Sequence, residues 1–238
     1  MSGRSHKHTV KRGRRSGAAA QDAIYERILA AIFEHRLSPG TKLGEGRLAG
    51  IFGVSRARIR RVLPRLAHEG VVRLEPNRGA FVAKPTVADA RDVFEARRLI
   101  EPGIVERFLA QPDRRGIIAR LRQHVAAERR ARAENDTRSI VRLSGEFHIL
   151  LADMAGNVLL AKTMRELASL TCLIIALYDS PSVPSCLGEE HAEIVDGLAA
   201  GHAERAVKLM LAHLHHVEGN LDLSVADSAP VALEAALA

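Results

Sequence analysis

Three histidines carry the clearest potential for chemistry: His148 in LSGEFHILLADMAGN, His191 in GEEHAEIVDGL and His213 in MLAHLHHVEGN. Each lies in a stretch with helical apolar spacing, so three imidazoles can converge inside a helical bundle, where neutral imidazole is a ligand for zinc or nickel. The same spacing suits ordinary core or surface histidines, and both readings stay open on spacing alone. His215 and His216 adjoin His213 and offer alternative ligands, with His216 at i+3 the better placed; His202, His6 and His8 fall in a turn or near the N-terminus and are taken as incidental. A second cluster is cationic, because Arg56, Arg58, Arg60, Arg61 and Arg65 lie within ten residues. Guanidinium groups bond guanine or phosphate bidentately, so nucleic acid suits this chemistry, while a solvated helix face is the alternative.

Composition bounds what these groups can belong to. The chain has 238 residues, 47% of them apolar, enough to bury a core. The longest uncharged stretch, Leu167 to Tyr178, has twelve residues, which suits a buried helix and not a membrane span. No apolar stretch follows the basic N-terminus, so no secretory signal is expected, and two cysteines, Cys172 and Cys186, exclude a disulfide scaffold. A reducing cytoplasm is the expected location. Residues 1–84 hold 18 Lys and Arg against 6 Asp and Glu, whereas 85–238 hold 17 against 22. That asymmetry predicts a polyanion-binding N-terminal part and a second part with a different partner.

The elements that must position these groups follow from periodicity. Residues 1–19 lack an apolar stripe and are expected to be a disordered basic tail. From Ala20, the residues Ile24, Ile28, Leu29 and Ile32 predict a helix that stops at Ser38-Pro39-Gly40; a second is expected around Arg47 to Phe52, ended by Gly53. Ser55 is a candidate N-cap for a third helix, with Ile59, Leu63 and Leu66 inward and the arginines outward. Two β-like runs, Val71 to Leu74 and Ala80 to Ala83, are joined by a turn containing Pro76, Asn77 and Gly79. Three helices and a hairpin predict a winged helix-turn-helix over 20–84. Residues 85–223 predict an all-α antiparallel bundle, with helices over Thr86 to Leu109, Arg114 to Glu134, Thr137 to Met154, Val158 to Tyr178, Cys186 to Ala199 and Ala203 to Leu221. Residues 224–238 are expected to be a mobile tail. The fold class is mainly α.

The stretch Ile24 to Pro85, with LSPGTKLGEGRLAGIFGVSRARIRRVLPRLAHEGVV and RGAFVA, resembles the DNA-binding domain of GntR-type bacterial transcription regulators. Leu43, Glu45, Leu48 and Ala49 fall on that family's Leu-x-Glu-x-x-Leu-Ala pattern, and Val54-Ser55-Arg56 on its Val-Ser-Arg. The resemblance implies Arg56 and Arg60 as readers of base or phosphate, Gly79 as the wing tip, and a contact set of Arg47, Ser55, Arg56, Arg58, Arg60, Arg78 and Gly79. Gly46 stands where many FadR-like members have a DNA-contacting arginine, Arg47 where they often have an acid, and Arg58 at a frequent proline position, while Pro64 lies inside the recognition helix.

Residues 86–220 resemble the FCD effector domain of that branch, through FEARRLIE, EFHILLADMAGN and EHAEIVDGLAAG with AVKLMLAHL. The resemblance implies a divalent ion, zinc or nickel, on His148, His191 and His213, together with an aspartate one turn before the first histidine; this chain has Ser144 there. A hydroxyl is a poor ligand for such ions, and Glu146 points about 200° around the helix and does not replace the aspartate. Arg97 matches the family's first-helix arginine and could pair with a carboxylate effector, or with Glu101 at i+4.

The expected function is therefore a ligand-responsive repressor, not an enzyme, that binds an inverted-repeat operator as a homodimer. Two other readings remain: a metal-dependent hydrolase built on the three histidines, although no HExxH motif is present, and an architectural DNA-binding protein whose helical half only dimerises.

Overall fold

The computed structural model describes residues 6–112, 114–179, 189–224 and 237, with residues 6–18 described as backbone only. The N-terminal head consists of α1 (His6–Phe33), α2 (Glu45–Phe52), α3 (Arg56–His68) and a hairpin of β1 (Val72–Glu75) and β2 (Gly79–Val82). Apolar residues of α1 and α3 recur at helical spacing and close on one another: Ile24, Ile28, Ile32, Ile59, Val62 and Leu66 are all buried. Gly53 ends α2 at φ 62°, a left-handed conformation that costs a glycine little, and so turns the chain into α3. In the hairpin Val72 faces Val82 and Glu75 faces Gly79, while Asn77 takes φ 60° in the turn.

Helix α1 is described from His6, within the segment read from sequence as a basic tail, and Lys, Arg and Ala are good helix formers that allow a helical backbone there. One local expectation needs correction. Ser55 occupies the N-cap position of α3, but its hydroxyl makes no capping hydrogen bond, leaving the exposed side chain outside the helix's own bonding. Helix α3 also continues through Pro64, whose exposed position keeps the lost backbone bond at the solvated face.

The second part is an antiparallel bundle of α4 (Val87–Leu109), α5 (Arg114–Ala133), α6 (Thr137–Met154), α7 (Val158–Tyr178), α8 (Glu190–Ala200) and α9 (Ala203–Gly219). Thr86 and Asp89 form a reciprocal capping box on α4, and the Asp136 and Asn157 side chains cap α6 and α7, which explains why these starts coincide with the sequence reading. Pro102 lies within α4 without ending it. The expected start of the next helix at Cys186 and the turn at 180–184 lie outside the described residues; α8 is described from Glu190. Most of the tail expected at 224–238 lies outside them as well, but Leu237 is fully buried in the head's core and its carbonyl accepts from Arg27 at 2.5 Å, so at that residue the chain is held.

Head and bundle share one apolar cluster, which runs from Ile28 and Leu66 through Phe94 to Leu173, Ile174 and Val217. Polar contacts reinforce the junction: His35 Nε2 lies 3.1 Å from the Cys172 carbonyl, Tyr178 donates to the Pro85 carbonyl at 3.1 Å, and Arg142 pairs with Glu34 at 3.3 Å. No described helix is long and apolar enough to cross a membrane.

Candidate functional site

On the head, α3 presents Arg56 and Arg60 one turn apart, both exposed, with Arg58 half-buried and Arg47 exposed on α2. Arg60 is oriented by Glu45 at the start of α2: Nε lies 3.0 Å from Oε1 and Nη2 2.7 Å from Oε2. This bidentate bond holds the Glu45 carboxyl below the usual carboxylate range. On the wing, Glu75 bonds both Arg73, at 2.9 Å, and Arg78. The Phe81 ring packs against both Lys42 and Arg78, whose cationic groups are 5.7 and 5.5 Å from its centroid. Gly79 has φ 102° and open space around its Cα, so the wing tip can approach a surface closely. The seven head residues singled out in the sequence thus lie on the three elements, α2, α3 and the wing, that a winged helix-turn-helix presents to DNA.

In the bundle, α6, α8 and α9 bring His148, His191 and His213 together, all buried. Their Nε2 atoms converge: His213 lies 3.2 Å from His148 and 3.3 Å from His191. Each Nδ1 faces a glutamate that the sequence reading did not connect to it. His148 meets Glu101 at 2.6 Å, His191 meets Glu128 at 2.9 Å, and His213 meets Glu190 at 2.7 Å. Phe147 stacks on the His191 ring at 4.0 Å and fixes its plane. His216 lies outside the cluster, with its Nδ1 on the other oxygen of Glu190 at 2.6 Å. Ser144 is buried on α6, one turn before His148.

The electrostatics follow from burial. Desolvation lowers His148 to about 3 and His213 to about 4, although Glu101 and Glu190 pull the other way. Burial alone would raise Glu101 and Glu128, but Arg97 beside the first and His191 beside the second bring both down to about 2. Each imidazole that donates from Nδ1 to a carboxylate has a bare lone pair on Nε2. The His148 and His191 Nε2 atoms both lie within 3.3 Å of His213 Nε2, and three lone pairs so placed repel unless a cation lies among them. Burial disfavours a proton on His148 and on His213, so the donor set fits a divalent metal ion, with imidazoles in front and carboxylates behind.

Arg97 is 2% exposed on α4, donates from Nε to Glu101 at 2.7 Å and from Nη1 to Thr171 at 3.2 Å, and leaves Nη2 buried with no partner among the described residues. The Glu101 pair expected from i+4 spacing is therefore present, and part of the guanidinium fork remains open. Glu146 pairs with Arg142 at 3.0 Å and lies apart from the cluster.

A basic winged head joined to a helical bundle with a histidine cluster defines a DNA-binding regulator with a sensor domain. Residues 20–82 match the family described as bacterial regulatory proteins, gntR family, and residues 92–216 match the FCD domain; the chain belongs to this family. Its members are transcription regulators and not enzymes. Among the similar proteins is the repressor RspR of Escherichia coli K12, 27% identical over 195 residues, covering 82% of this chain and 85% of that one. A second Escherichia coli K12 relative, 29% identical over 224 residues with 82% and 84% covered, carries the name of an L-lactate dehydrogenase operon regulatory protein. Among solved structures, a GntR regulator from Rhodococcus sp. RHA1 matches with a TM-score of 0.71 at 25% identity, covering 84% of this chain and 96% of that one.

Proposed function

We propose that this chain is a repressor that binds an inverted-repeat operator as a homodimer and whose DNA affinity is set by a small carboxylate bound in the helical domain. The observation that carries the reading is the buried pairing of a three-imidazole cluster with an arginine whose Nη2 has no partner among the described residues. In this reading His148, His191 and His213 hold one divalent ion, and Ser144, being neutral, leaves the ion's charge uncompensated by a fourth protein ligand. When bound, that ion would supply an open position for an anionic oxygen. Arg97 Nη2 would receive a second carboxylate oxygen by a charge-assisted bond.

The response is a population shift. A carboxylate that binds one disposition of the two heads better than another changes operator affinity by that difference and no more. Two copies related by a twofold axis would place two α3 helices on successive half-sites. The name of the Escherichia coli relative, which refers to L-lactate dehydrogenase, supports a short carboxylate as the effector class.

The test is a gel-shift titration of metal-loaded protein on its own promoter with a panel of short carboxylates. A carboxylate that shifts the DNA midpoint in wild type and not in Arg97→Ala supports the reading. Sequence-specific binding that no carboxylate alters, with no metal retained after supplying zinc or nickel, sinks the sensing half and leaves an effector-independent regulator; binding across unrelated sequences with little specificity leaves an architectural DNA-binding protein.

A further inference from the structure

Arg60 has two edges on which it can form paired hydrogen bonds, and Glu45 takes the Nε/Nη2 edge at 3.0 and 2.7 Å. Among the described residues nothing occupies the Nη1/Nη2 edge, which can meet guanine O6 and N7. Beside this pair, a Cβ added to Gly46 would lie 3.3 Å from Arg56 Nη2, 3.5 Å from Nε and 3.6 Å from Cζ. The tip of the Arg56 side chain therefore packs beside Gly46, where an added methyl group would press on the guanidinium and shift it by a few tenths of an ångström. The two arginines are one turn apart on α3, and the first two residues of α2 seat both of them. A cleft of about 420 Å³ between α3 and the wing, lined by Glu45, Arg60 and Arg78, opens beside this seat.

We propose that Glu45 and Gly46 are specificity-determining positioning residues: they fix the directions of Arg60 and Arg56 before DNA arrives. An exposed ion pair contributes little to stability, so the value of this one lies in orientation. An unconstrained arginine on α3 satisfies itself on any phosphate, which carries no sequence information, whereas a guanidinium held on one edge presents the other in a fixed direction to a base. Glu45 also places a negative charge on a surface that meets a polyanion, which weakens binding to every sequence alike. The orienting effect raises the ratio of specific to non-specific affinity, and the charge lowers both affinities without changing that ratio.

The proposal rests on the operator-binding reading, and the experiment separates the two. The full-length protein selects duplexes from a random pool, and affinity for the selected duplex and for a scrambled duplex is then measured at fixed salt. Wild type, Glu45→Ala, Glu45→Gln, Gly46→Ala, Arg60→Ala and the double variant Glu45→Ala with Arg60→Ala are compared. We expect Glu45→Ala to lower the ratio of the two affinities about tenfold while affinity for the scrambled duplex is kept or rises. Gly46→Ala, which favours the helix, is expected to lower the ratio less, because the Arg56 tip must give way by only a few tenths of an ångström. Adding Glu45→Ala to Arg60→Ala should leave the ratio unchanged, since the glutamate acts on sequence preference through that arginine. Glu45→Gln keeps the side-chain volume and serves in place of the alanine variant should the latter melt early. Equal losses on both duplexes, or a further fall in the Arg60→Ala background, overturn the proposal alone. A wild-type protein that enriches no sequence overturns the operator reading and this proposal with it.

Discussion

Arg97 and Glu101 form an ion pair at 2.7 Å in which both side chains are 2% exposed, and the Glu101 oxygen not used by Arg97 holds His148 Nδ1 at 2.6 Å. The arginine is thereby tied to the histidine cluster through a single carboxylate. Breaking a buried pair by removing one partner costs about 3 to 5 kcal/mol, because the remaining charge stays desolvated. Arg97→Lys avoids that loss by keeping the charge, but a point ammonium cannot reproduce the fork that serves Glu101, Thr171 and a third partner. We expect Arg97→Lys to bind DNA normally and to lose its response to a carboxylate. A full response in this variant would remove Arg97 from the sensing site.

Untagged protein should carry about one divalent ion per chain by elemental mass spectrometry. His148→Ala, His191→Ala and His213→Ala should each lower metal content and melting temperature together, whereas His216→Ala should keep the metal, since His216 faces Glu190 away from the cluster. Full metal content in any of the first three would exclude that histidine as a ligand.

Burial holds His35 below the ordinary histidine value, against the opposing pull of the Cys172 carbonyl and the Asp179 charge; His148 and His213 are lowered in the same direction. The unfolded chain therefore takes up protons near pH 6.5 that the folded chain refuses. The contribution of these three groups is complete above about pH 6.5 and declines as pH falls, by at most about 1.4 kcal/mol per pH unit for each group. His35→Gln can still donate to the Cys172 carbonyl and does not titrate. Urea midpoints of metal-free protein between pH 7 and 5 should fall less steeply in this variant, and an identical slope would show that His35 contributes nothing.

A Cβ on Gly145 would sit 2.7 Å from Cys172 Sγ, so α6 and α7 meet there without room for a methyl group. Gly145→Ala is expected to destabilise the bundle by about 1 to 3 kcal/mol, as overpacking does. Cys172→Ala should relieve most of that loss, and a double-mutant cycle in urea measures the coupling. Additive effects would mean that the helices separate without strain.

Arg56→Ala and Arg60→Ala should each weaken operator binding by about tenfold, with the fold intact by circular dichroism. Replacing the half-buried Arg58 should matter less for sequence preference. Wild-type affinity in both exposed-arginine variants would move base reading to the wing.

Much of this architecture can be read from sequence because local chemistry is explicit. Asp136 and Asn157 mark the starts of α6 and α7, and apolar spacing carries each helix to Met154 and Tyr178. The histidines share helical context, and the five arginines of α3 fall within one ten-residue stretch. The glutamates behind the histidines carry no such signal: 47 residues separate Glu101 from His148 and 63 separate Glu128 from His191. Glu190 adjoins His191 in the chain yet bonds His213, because consecutive helical residues point about 100° apart. Ser55 misleads in the opposite sense, since a capping residue type at a capping position makes no cap bond. The seat for Arg56 escapes notice because the signal is a missing side chain.

The shared apolar cluster through Ile28, Phe94 and Leu173 makes head and bundle one thermodynamic body. Heat should melt them in a single calorimetric peak, and any molecule that binds only the folded bundle will delay the melting of the head by mass action. A dye-based thermal scan of the whole chain is then a sensor assay that needs no DNA, and amide exchange in α3, far from the histidines, will slow when the bundle is occupied.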